Sequence, residues 1–263
     1  IMVIWVIAVT LFSIILFRLI FFRVQKVQVK SVKHVLGMVS IEETDLSTVN
    51  ALFVTAHPDD ECMFFAPTII RLVQLSARVN LLCLSQGNYY NQGSLRKEEL
   101  LSSCAVLGIP GSKVSIIDHN CQLPKAPQLK TSLSLTTEKS PTFVLTFDGR
   151  GVSGHANHTA IYKAVSHLAC TGQLPTNCHL LSLETVGLIR KYLSFLELPL
   201  SWLLPSALCC MSGLRGYRQA KAAMICHRTQ LLWFRYLYVM FSRYMFVNTF
   251  HIIPQGPKNL KIY

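Results

Sequence analysis

Short apolar runs alternate along this chain with stretches in which the apolar residues recur at helical spacing. Residues 51–56 and 79–84 are apolar runs of strand length, and the apolar positions of residues 62–75 between them repeat as in a helix. The same criteria predict strands at 114–117, 143–147 and 180–186 and helices at 94–107 and 154–168. Strands that alternate with helices predict an α/β fold with a mostly parallel sheet that is covered by helices on both faces.

The N-terminal segment has a different pattern, because residues 1–17 carry no charge and the apolar run continues to Phe22. About 20 apolar residues suffice to cross the hydrocarbon core of a bilayer as a helix. Basic residues follow at once, and no acidic residue comes before Glu42. We therefore predict one transmembrane anchor over residues 1–22, with its C-terminal flank in the cytoplasm. The alternative, a cleaved signal peptide, has a shorter apolar stretch that ends in small residues.

The composition is apolar and basic. Charged residues make up 14% of the chain, against about 25% in an average protein, and the formal net charge is +12. Residues 186–263 hold ten Lys and Arg residues against one acidic residue, together with many aromatic side chains. This combination favours contact with an anionic lipid surface over nucleic acid, for which no binding motif is present. A solvated basic face is the simpler alternative.

Chemically reactive side chains follow the first predicted strand. Residues 56–61 read AHPDDE, which places His57 and three acidic residues at the carboxyl end of a buried strand. Ligands of parallel sheets bind at that edge, and imidazole together with carboxylate suits zinc or a similar divalent ion. The acidic residues alone would also suit a helix N-terminus, where Asp and Glu are favoured. The adjacent histidine makes a metal site the better interpretation of the whole motif.

A second cluster follows a later strand and opens a helix. Residues 147–158 read FDGRGVSGHANH, directly after the strand predicted at 143–147. The cluster should therefore reach the same edge of the sheet as the first motif. His155 and His158 are three residues apart in a first helical turn, so their side chains can project to neighbouring positions. Two histidines and one aspartate around a metal with an open position are typical of a hydrolytic site.

Together with three further segments, these motifs resemble the eukaryotic N-acetylglucosaminyl-phosphatidylinositol de-N-acetylase (PIG-L) family of LmbE-like deacetylases. The further segments read GNYYNQG at 87–93, RKEEL at 96–100 and CHRTQLLWFR at 226–235. The pair formed by AHPDDE and a later GHxxH is the most specific part of the resemblance. The resemblance implies a Rossmann-like deacetylase domain, which we place at residues 51–245. A linker at 23–50 would precede it, and a C-terminal tail at 246–263 would follow it.

The family implies a reaction, a substrate and a location. Its members remove acetate from the glycolipid N-acetylglucosaminyl-phosphatidylinositol (GlcNAc-PI), in the second step of GPI-anchor synthesis. They do so on the cytoplasmic face of the endoplasmic reticulum membrane. The expected partners are therefore this glycolipid and the membrane, without nucleic acid, and protein partners are left open.

The resemblance also assigns roles to motif residues of this chain. His57, Asp60 and His158 would hold a divalent metal ion, which we expect to be Zn²⁺. Asp59 would be the general base for the attacking water, and His155 would stabilise the oxyanion or protonate the leaving amine. These roles agree with the chemistry, because an amide is a poor electrophile. Its hydrolysis needs a Lewis acid at the carbonyl and a carboxylate for the water proton.

Arg96 opens the helix after the glycine-bounded loop, and the resemblance makes it a substrate-contacting residue. A guanidinium suits a phosphate, which it can bind with two parallel hydrogen bonds. The alternative is an ordinary arginine on the surface of a helix.

One segment departs from the family pattern. Residues 119–141 lack the acidic substrate-side residues that the family has there, unless Asp118 serves, and the pattern of a crossover helix is missing. This departure motivates the hypothesis of a non-catalytic relative that binds a membrane or a partner, against which the intact motif residues speak. A third hypothesis, a deacetylase of a soluble amino-sugar conjugate, conflicts with the predicted anchor and the basic last third.

Overall fold

The computed structural model describes residues 48–117, 140–174 and 178–256, with a few isolated positions outside these ranges. The predicted anchor at 1–22 and the segment at 119–141 lie almost wholly outside the described residues. Within the described part of the chain, no helix is both long enough and apolar enough to cross a membrane.

A seven-stranded sheet is at the centre of the molecule. Its strands are β1 (Asn50–Thr55), β2 (Arg78–Cys83), β3 (Val114–Ile116), β4 (Phe143–Phe147), β5 (His179–Leu183), β6 (Leu208–Met211) and β7 (Val247–Ile252). The helices are α1 (Asp60–Phe64), α2 (Ala66–Gln74), α3 (Gly93–Leu107), α4 (Ala156–Cys170), α5 (Leu188–Lys191), α6 (Glu197–Leu203), α7 (Leu214–Cys226) and α8 (Trp233–Phe241). Short helical turns lie between them at Asn88–Tyr90, Gly111–Lys113, Gly151–Gly154, Ser194–Leu196, Arg228–Gln230 and Arg243–Met245.

The strands are ordered β3-β2-β1-β4-β5-β7-β6 across the sheet. The first five in this order are parallel to one another, and β7 is antiparallel to both β5 and β6. The predicted α/β architecture with a mostly parallel sheet is therefore confirmed. Strand β7 lies in the range predicted as a C-terminal tail, so the sheet extends beyond residue 245.

Apolar layers cover both faces of the sheet. Every residue of β1 is buried, and successive side chains of a strand point to opposite faces. Phe53 therefore packs in one hydrophobic cluster with α1, α2 and α3, whereas Leu52 packs in a second cluster with α4. This two-sided burial explains why β1 is an unbroken apolar run.

The helix predicted at 62–75 is two helices, α1 and α2, which are separated at Phe65. Pro67 lies in the first turn of α2, where its missing N–H costs nothing. In one continuous helix the same proline would remove a hydrogen bond and clash with the preceding turn. The break leaves α1 as a short helix directly after the AHPDDE motif.

The order of the strands fixes where a ligand can bind. From β1 the chain continues to β2 and β3 on one side, and then returns to β4 on the other side of β1. Ligands of open α/β sheets bind at such a reversal, beyond the carboxyl ends of the strands. The AHPDDE motif follows β1 and the GHANH motif follows β4, so both motifs lie at this position.

Candidate active site

Asp60 is held rigidly at the start of α1. Its Oδ2 accepts hydrogen bonds from the backbone N–H groups of Ala56 and His57, each at 2.9 Å, and its Oδ1 lies 3.1 Å from Nε2 of His158. Burial by itself raises the pKa of Asp60, but the two histidines and these hydrogen bonds lower the pKa well below its usual range overall. Asp60 is therefore a buried, ionised carboxylate.

His158 faces Asp60 from the first turn of α4. Its ring stacks on Phe147, the last residue of β4, with 3.7 Å between the ring centroids. Its Nδ1 lies 3.1 Å from the carbonyl oxygen of Gly151. Gly151 has a φ of +57°, and a Cβ there would lie 3.0 Å from the Cβ of His158. The turn before α4 thus needs glycine in order to place the histidine.

His57 and His155 bring two more imidazoles to this pair. Nitrogens of His57, His155 and His158 lie within 4.8 Å of one another. Nδ1 of His57 lies 3.8 Å from Oδ2 of Asp60, and its Nε2 lies 2.8 Å from the side-chain amide of Asn157. Burial lowers the pKa of His57 and of His155, which favours the neutral imidazole that a metal ion requires.

The donor set fits a divalent metal ion. The carbonyl of Gly151 can only accept a hydrogen bond, so Nδ1 of His158 carries a proton, and in the neutral ring Nε2 presents a lone pair to Asp60. Two acceptors that face each other need a proton or a cation between them. Although burial lowers the pKa of His158, the charge of Asp60 raises it overall, so this position favours positive charge. A histidine that donates its other N–H to a backbone carbonyl is the usual arrangement at zinc sites.

Asp59 lies beside the cluster in an unusual backbone conformation. Its φ is 111°, which is rare for a residue with a side chain, and its backbone N–H donates to Oε2 of Glu61 at 3.0 Å. Its Oδ2 accepts a hydrogen bond from Nη2 of Arg235 at 2.8 Å. Burial raises the pKa of Asp59 to about 7, although the charge of Arg235 opposes that rise. Such strained, pKa-shifted carboxylates are concentrated at catalytic sites.

Glu61 and His227 form a buried pair to which the sequence analysis gave no role. Oε1 of Glu61 lies 2.6 Å from Nε2 of His227 and accepts a hydrogen bond from Ser103, also at 2.6 Å. Burial by itself raises the pKa of Glu61 and lowers that of His227, but their mutual attraction reverses both shifts. The pair is therefore ionised, and it holds the backbone of Asp59 through Oε2 of Glu61.

Replacing His227 with phenylalanine should destabilise the fold, because it leaves the buried charge of Glu61 without a counter-charge. Breaking a buried pair in this way costs roughly 3–5 kcal/mol. Chemical denaturation of the full-length protein in detergent measures the loss. Glu98→Gln, on the exposed side of α3, serves as the control and should change stability little. A loss for His227→Phe no larger than that of the control would contradict the ionised pair.

A cleft of about 970 Å³ opens over these residues. His57, Asp59, Asp60, His155 and His158 line it on one side. The aromatic and aliphatic side chains of α8 line another part of the cleft, namely Trp233, Phe234, Leu237, Tyr238 and Phe241. The cleft thus joins a polar, charged floor to an apolar wall, and it is large enough for a small-molecule substrate.

Two cations line the same cleft besides Arg235. Arg96, predicted as a substrate contact, donates from Nη1 to the carbonyl oxygen of Gly87 at 2.7 Å. Lys191, which the sequence analysis did not single out, donates from Nζ to Oγ of Ser153 at 2.6 Å. Burial lowers the pKa of Lys191. Its position in the chain carries no motif that could have revealed it.

Gly87 leaves room for the guanidinium of Arg96, and a mutation at Gly87 can test this close contact. Gly87 has a φ of +66°, and a Cβ there would lie 2.1 Å from Nη1 of Arg96. We expect Gly87→Ala to displace the guanidinium and to raise the KM for an anionic substrate roughly tenfold, as loss of a charged hydrogen bond would. In steady-state kinetics, Gly87→Ala and Arg96→Ala should raise the KM by a similar factor. The control is Gly187→Ala, where a Cβ meets nothing within 4 Å, and an unchanged KM in Gly87→Ala would contradict the assignment.

Some of the basic residues that favoured contact of the last third with anionic lipid point into the protein. Of the basic residues between 215 and 243, Arg235 turns inward to Asp59, and Arg243 is fully buried. Arg243 donates to Oγ of Ser201 at 2.8 Å and lies 3.8 Å from Oε1 of Glu197. These two arginines stabilise the interior and are not available to anionic lipid. A sequence pattern cannot distinguish a buried basic residue from an exposed one when its acidic partner is distant in the chain.

Comparisons with known proteins agree with this geometry. A family model described as GlcNAc-PI de-N-acetylase (PIG-L) matches residues 52–169. The N-acetylglucosaminyl-phosphatidylinositol de-N-acetylase of Bos taurus is 50% identical over 210 residues, which cover 77% of this chain and 83% of the relative. A probable enzyme of the same name from Dictyostelium discoideum is 32% identical over 245 residues, covering 79% of this chain and 95% of the relative.

A solved structure shares the fold. The N,N'-diacetylchitobiose deacetylase from Pyrococcus horikoshii superimposes with a TM-score of 0.59 at 15% identity, over 82% of this chain and 89% of that chain. At this identity the likeness concerns the fold alone. The two relatives, the family match and the motifs at the sheet edge all point to one family. This chain belongs to the PIG-L family of GlcNAc-PI de-N-acetylases.

Proposed function

We propose that this protein hydrolyses the acetamide of GlcNAc-PI to give acetate and the free amine, as a step of GPI-anchor synthesis. The observation that carries the proposal is the convergence of His57, Asp60 and His158 beside Asp59, at the floor of a cleft with an apolar wall. The names of the relatives at 50% and 32% identity supply the substrate. The complete set of motif residues supports an active enzyme over a non-catalytic relative.

His57, Asp60 and His158 would hold the metal ion, which we propose to be zinc. When bound, zinc would polarise the acetamide carbonyl and make water more acidic. Asp60 is suited to a cation because it is ionised and already fixed by two backbone N–H groups. His155 lies in the same cluster but is more exposed than His158. It is therefore free to face the substrate, where it would hydrogen-bond the oxyanion or protonate the leaving amine.

Asp59 would take the proton of the attacking water. Arg235 binds Oδ2 of this carboxylate, which orients the side chain and leaves Oδ1 for the water. The pair formed by Glu61 and His227 holds the strained backbone of Asp59 from behind. The base is thus fixed from two directions, which a positioned proton transfer requires.

The substrate headgroup would extend from the metal site toward the cations of the cleft. Arg96 would contact the phosphodiester, and Lys191 adds a second positive charge in the same cleft. We place the protein in the endoplasmic reticulum membrane, with residues 1–22 as a single anchor and the catalytic domain in the cytoplasm. The uncharged N-terminal run and the basic residues after it support this location.

Acetate release from two substrates tests the proposal. The purified full-length protein should release acetate from GlcNAc-PI far faster than from a soluble N-acetylglucosamine conjugate without lipid and phosphate. Equal rates would favour the soluble amino-sugar hypothesis. No release from either substrate by zinc-loaded protein would favour the non-catalytic hypothesis.

A further inference from the structure

Two short helices, α5 and α6, bury polar side chains and expose apolar ones, which is the reverse of the usual arrangement in a helix that faces water. Helix α6 buries Glu197 and Ser201, whereas Trp202 and Leu203 are exposed, the latter to 74%. Helix α5 buries Lys191 and exposes Ile189 to 80%. A helix that contacts water normally has the opposite arrangement, with its apolar residues facing the core. The inversion indicates that the outer face of these helices contacts an apolar medium.

Polar contacts lock this arrangement in place. Glu197 is fully buried and forms an ion pair with Arg190 of α5, while its Oε1 also lies 3.8 Å from Nε of Arg243. The apolar side chains of α5 and α6 cannot turn inward without breaking these buried contacts. Their exposure is therefore built into the fold.

Helix α8 continues the same surface and joins it to the cleft. Of its nine residues only Tyr238 and Val239 are buried, and Trp233 is 74% exposed. Oγ of Ser194 donates to the carbonyl oxygen of Met240 at 2.9 Å, which ties the Ser194–Leu196 turn to α8. We call the exposed side chains of α5, this turn, α6 and α8 the apolar rim. Several of the exposed side chains of α8, among them Trp233 and Phe241, also line the cleft that contains His57, His155 and His158.

We propose that the apolar rim inserts into the outer layer of a lipid bilayer and thereby holds the mouth of the cleft at the bilayer surface. The proposal rests on the proposed function, because a lipid-linked sugar presents its headgroup only there. Large exposed apolar surfaces mark contact sites, and Trp and Tyr suit the depth of lipid headgroups. The charged residues of α5, α6 and α8 all have internal partners: Arg190 pairs with Glu197, Arg235 pairs with Asp59, and Lys191 donates to Ser153. Insertion is therefore apolar, so it needs no anionic lipid and persists at high salt.

Tryptophan fluorescence tests the contact directly, because the chain has only three tryptophans. In full-length protein that carries Trp5→Phe and Trp202→Phe, Trp233 is the sole emitter. Reconstituted in phosphatidylcholine vesicles, its emission should be strongly quenched when the acyl chains are brominated, at low and at high salt. Unquenched emission overturns the proposal, whether a second copy, another protein or the N-terminal segment covers the rim.

Kinetics separate this inference from the proposed function. The triple variant Ile189→Ser, Leu196→Ser, Leu203→Ser changes rim residues that do not line the cleft. Its apparent KM for GlcNAc-PI in vesicles should rise about tenfold or more, whereas hydrolysis of the water-soluble headgroup, GlcNAc-phosphoinositol, should be unchanged. Leu214→Ser, 64% exposed in a separate, smaller depression, is the matched control. A wild-type KM for the triple variant overturns the inference alone. If the wild-type protein releases acetate from neither substrate, the proposed function is overturned.

Discussion

Replacing His158 with alanine is expected to remove the bound metal and to lower kcat at least ~10³-fold. A metal ion supplies several kcal/mol of transition-state stabilisation, and each 1.36 kcal/mol corresponds to a factor of ten. The substitution also leaves Asp60 without the partner that lies 3.1 Å from its Oδ1. Metal analysis should find one ion per chain in the purified wild type and clearly less than one in the variant.

His167→Ala is the matched control for this experiment. His167 lies on the same helix, α4, but it is exposed and outside the cleft. Its loss should change neither metal content nor kcat. If His158→Ala retains a full complement of metal, the ligand assignment is wrong even if activity falls.

Replacing Asp59 with asparagine should preserve metal binding and abolish most turnover. An amide cannot take the proton of the attacking water, and a general base contributes about 10²–10⁴-fold. The side-chain oxygen of asparagine can still accept the hydrogen bond from Arg235, so the local structure should be maintained. Metal content and kcat, measured on the same preparation, check both halves of this prediction.

Arg235→Gln separates the base from its ion pair. This variant keeps the carboxylate of Asp59 but removes the guanidinium that orients it. We expect a smaller loss of kcat than in Asp59→Asn. Equal losses would assign the effect to the ion pair, and near wild-type turnover in Asp59→Asn would exclude Asp59 as the base.

The parts of the site that local patterns could predict are those that follow a strand directly. The apolar run of β1 and the AHPDDE motif are contiguous, and the edge position of a motif after a parallel strand follows from the topology alone. His57, Asp60 and His158 therefore came together at the sheet edge as the sequence indicated. His155 lies in the same cluster, as its spacing from His158 indicated, since both motifs open helices at one reversal point.

Contacts between distant positions could not be predicted in this way. Glu61 and His227 are 166 positions apart, and Arg235 is 176 positions from Asp59. No local periodicity encodes such pairs, because they depend on how α1 packs against the segment that leads into α8. The burial of polar residues by α6 could not be predicted for the same reason, since the partners of Glu197 come from α5 and from the turn before β7.

The fold differs from the sequence prediction where contacts between distant parts of the chain determine the structure. Strand β7 occupies residues predicted as a tail, and it pairs antiparallel with β5 and β6, which no helix–strand alternation could indicate. The break at Phe65 had a local cause in Pro67, which the helical spacing of apolar residues concealed.

The most direct test of the central claim is a product analysis with GlcNAc-PI as substrate. Purified, zinc-loaded, full-length protein should release acetate and glucosaminyl-phosphatidylinositol in equal amounts. A strong chelator should stop the reaction, and added zinc should restore it. If the zinc-loaded protein, with its metal content verified, leaves the acetamide of GlcNAc-PI intact, the proposed function is wrong.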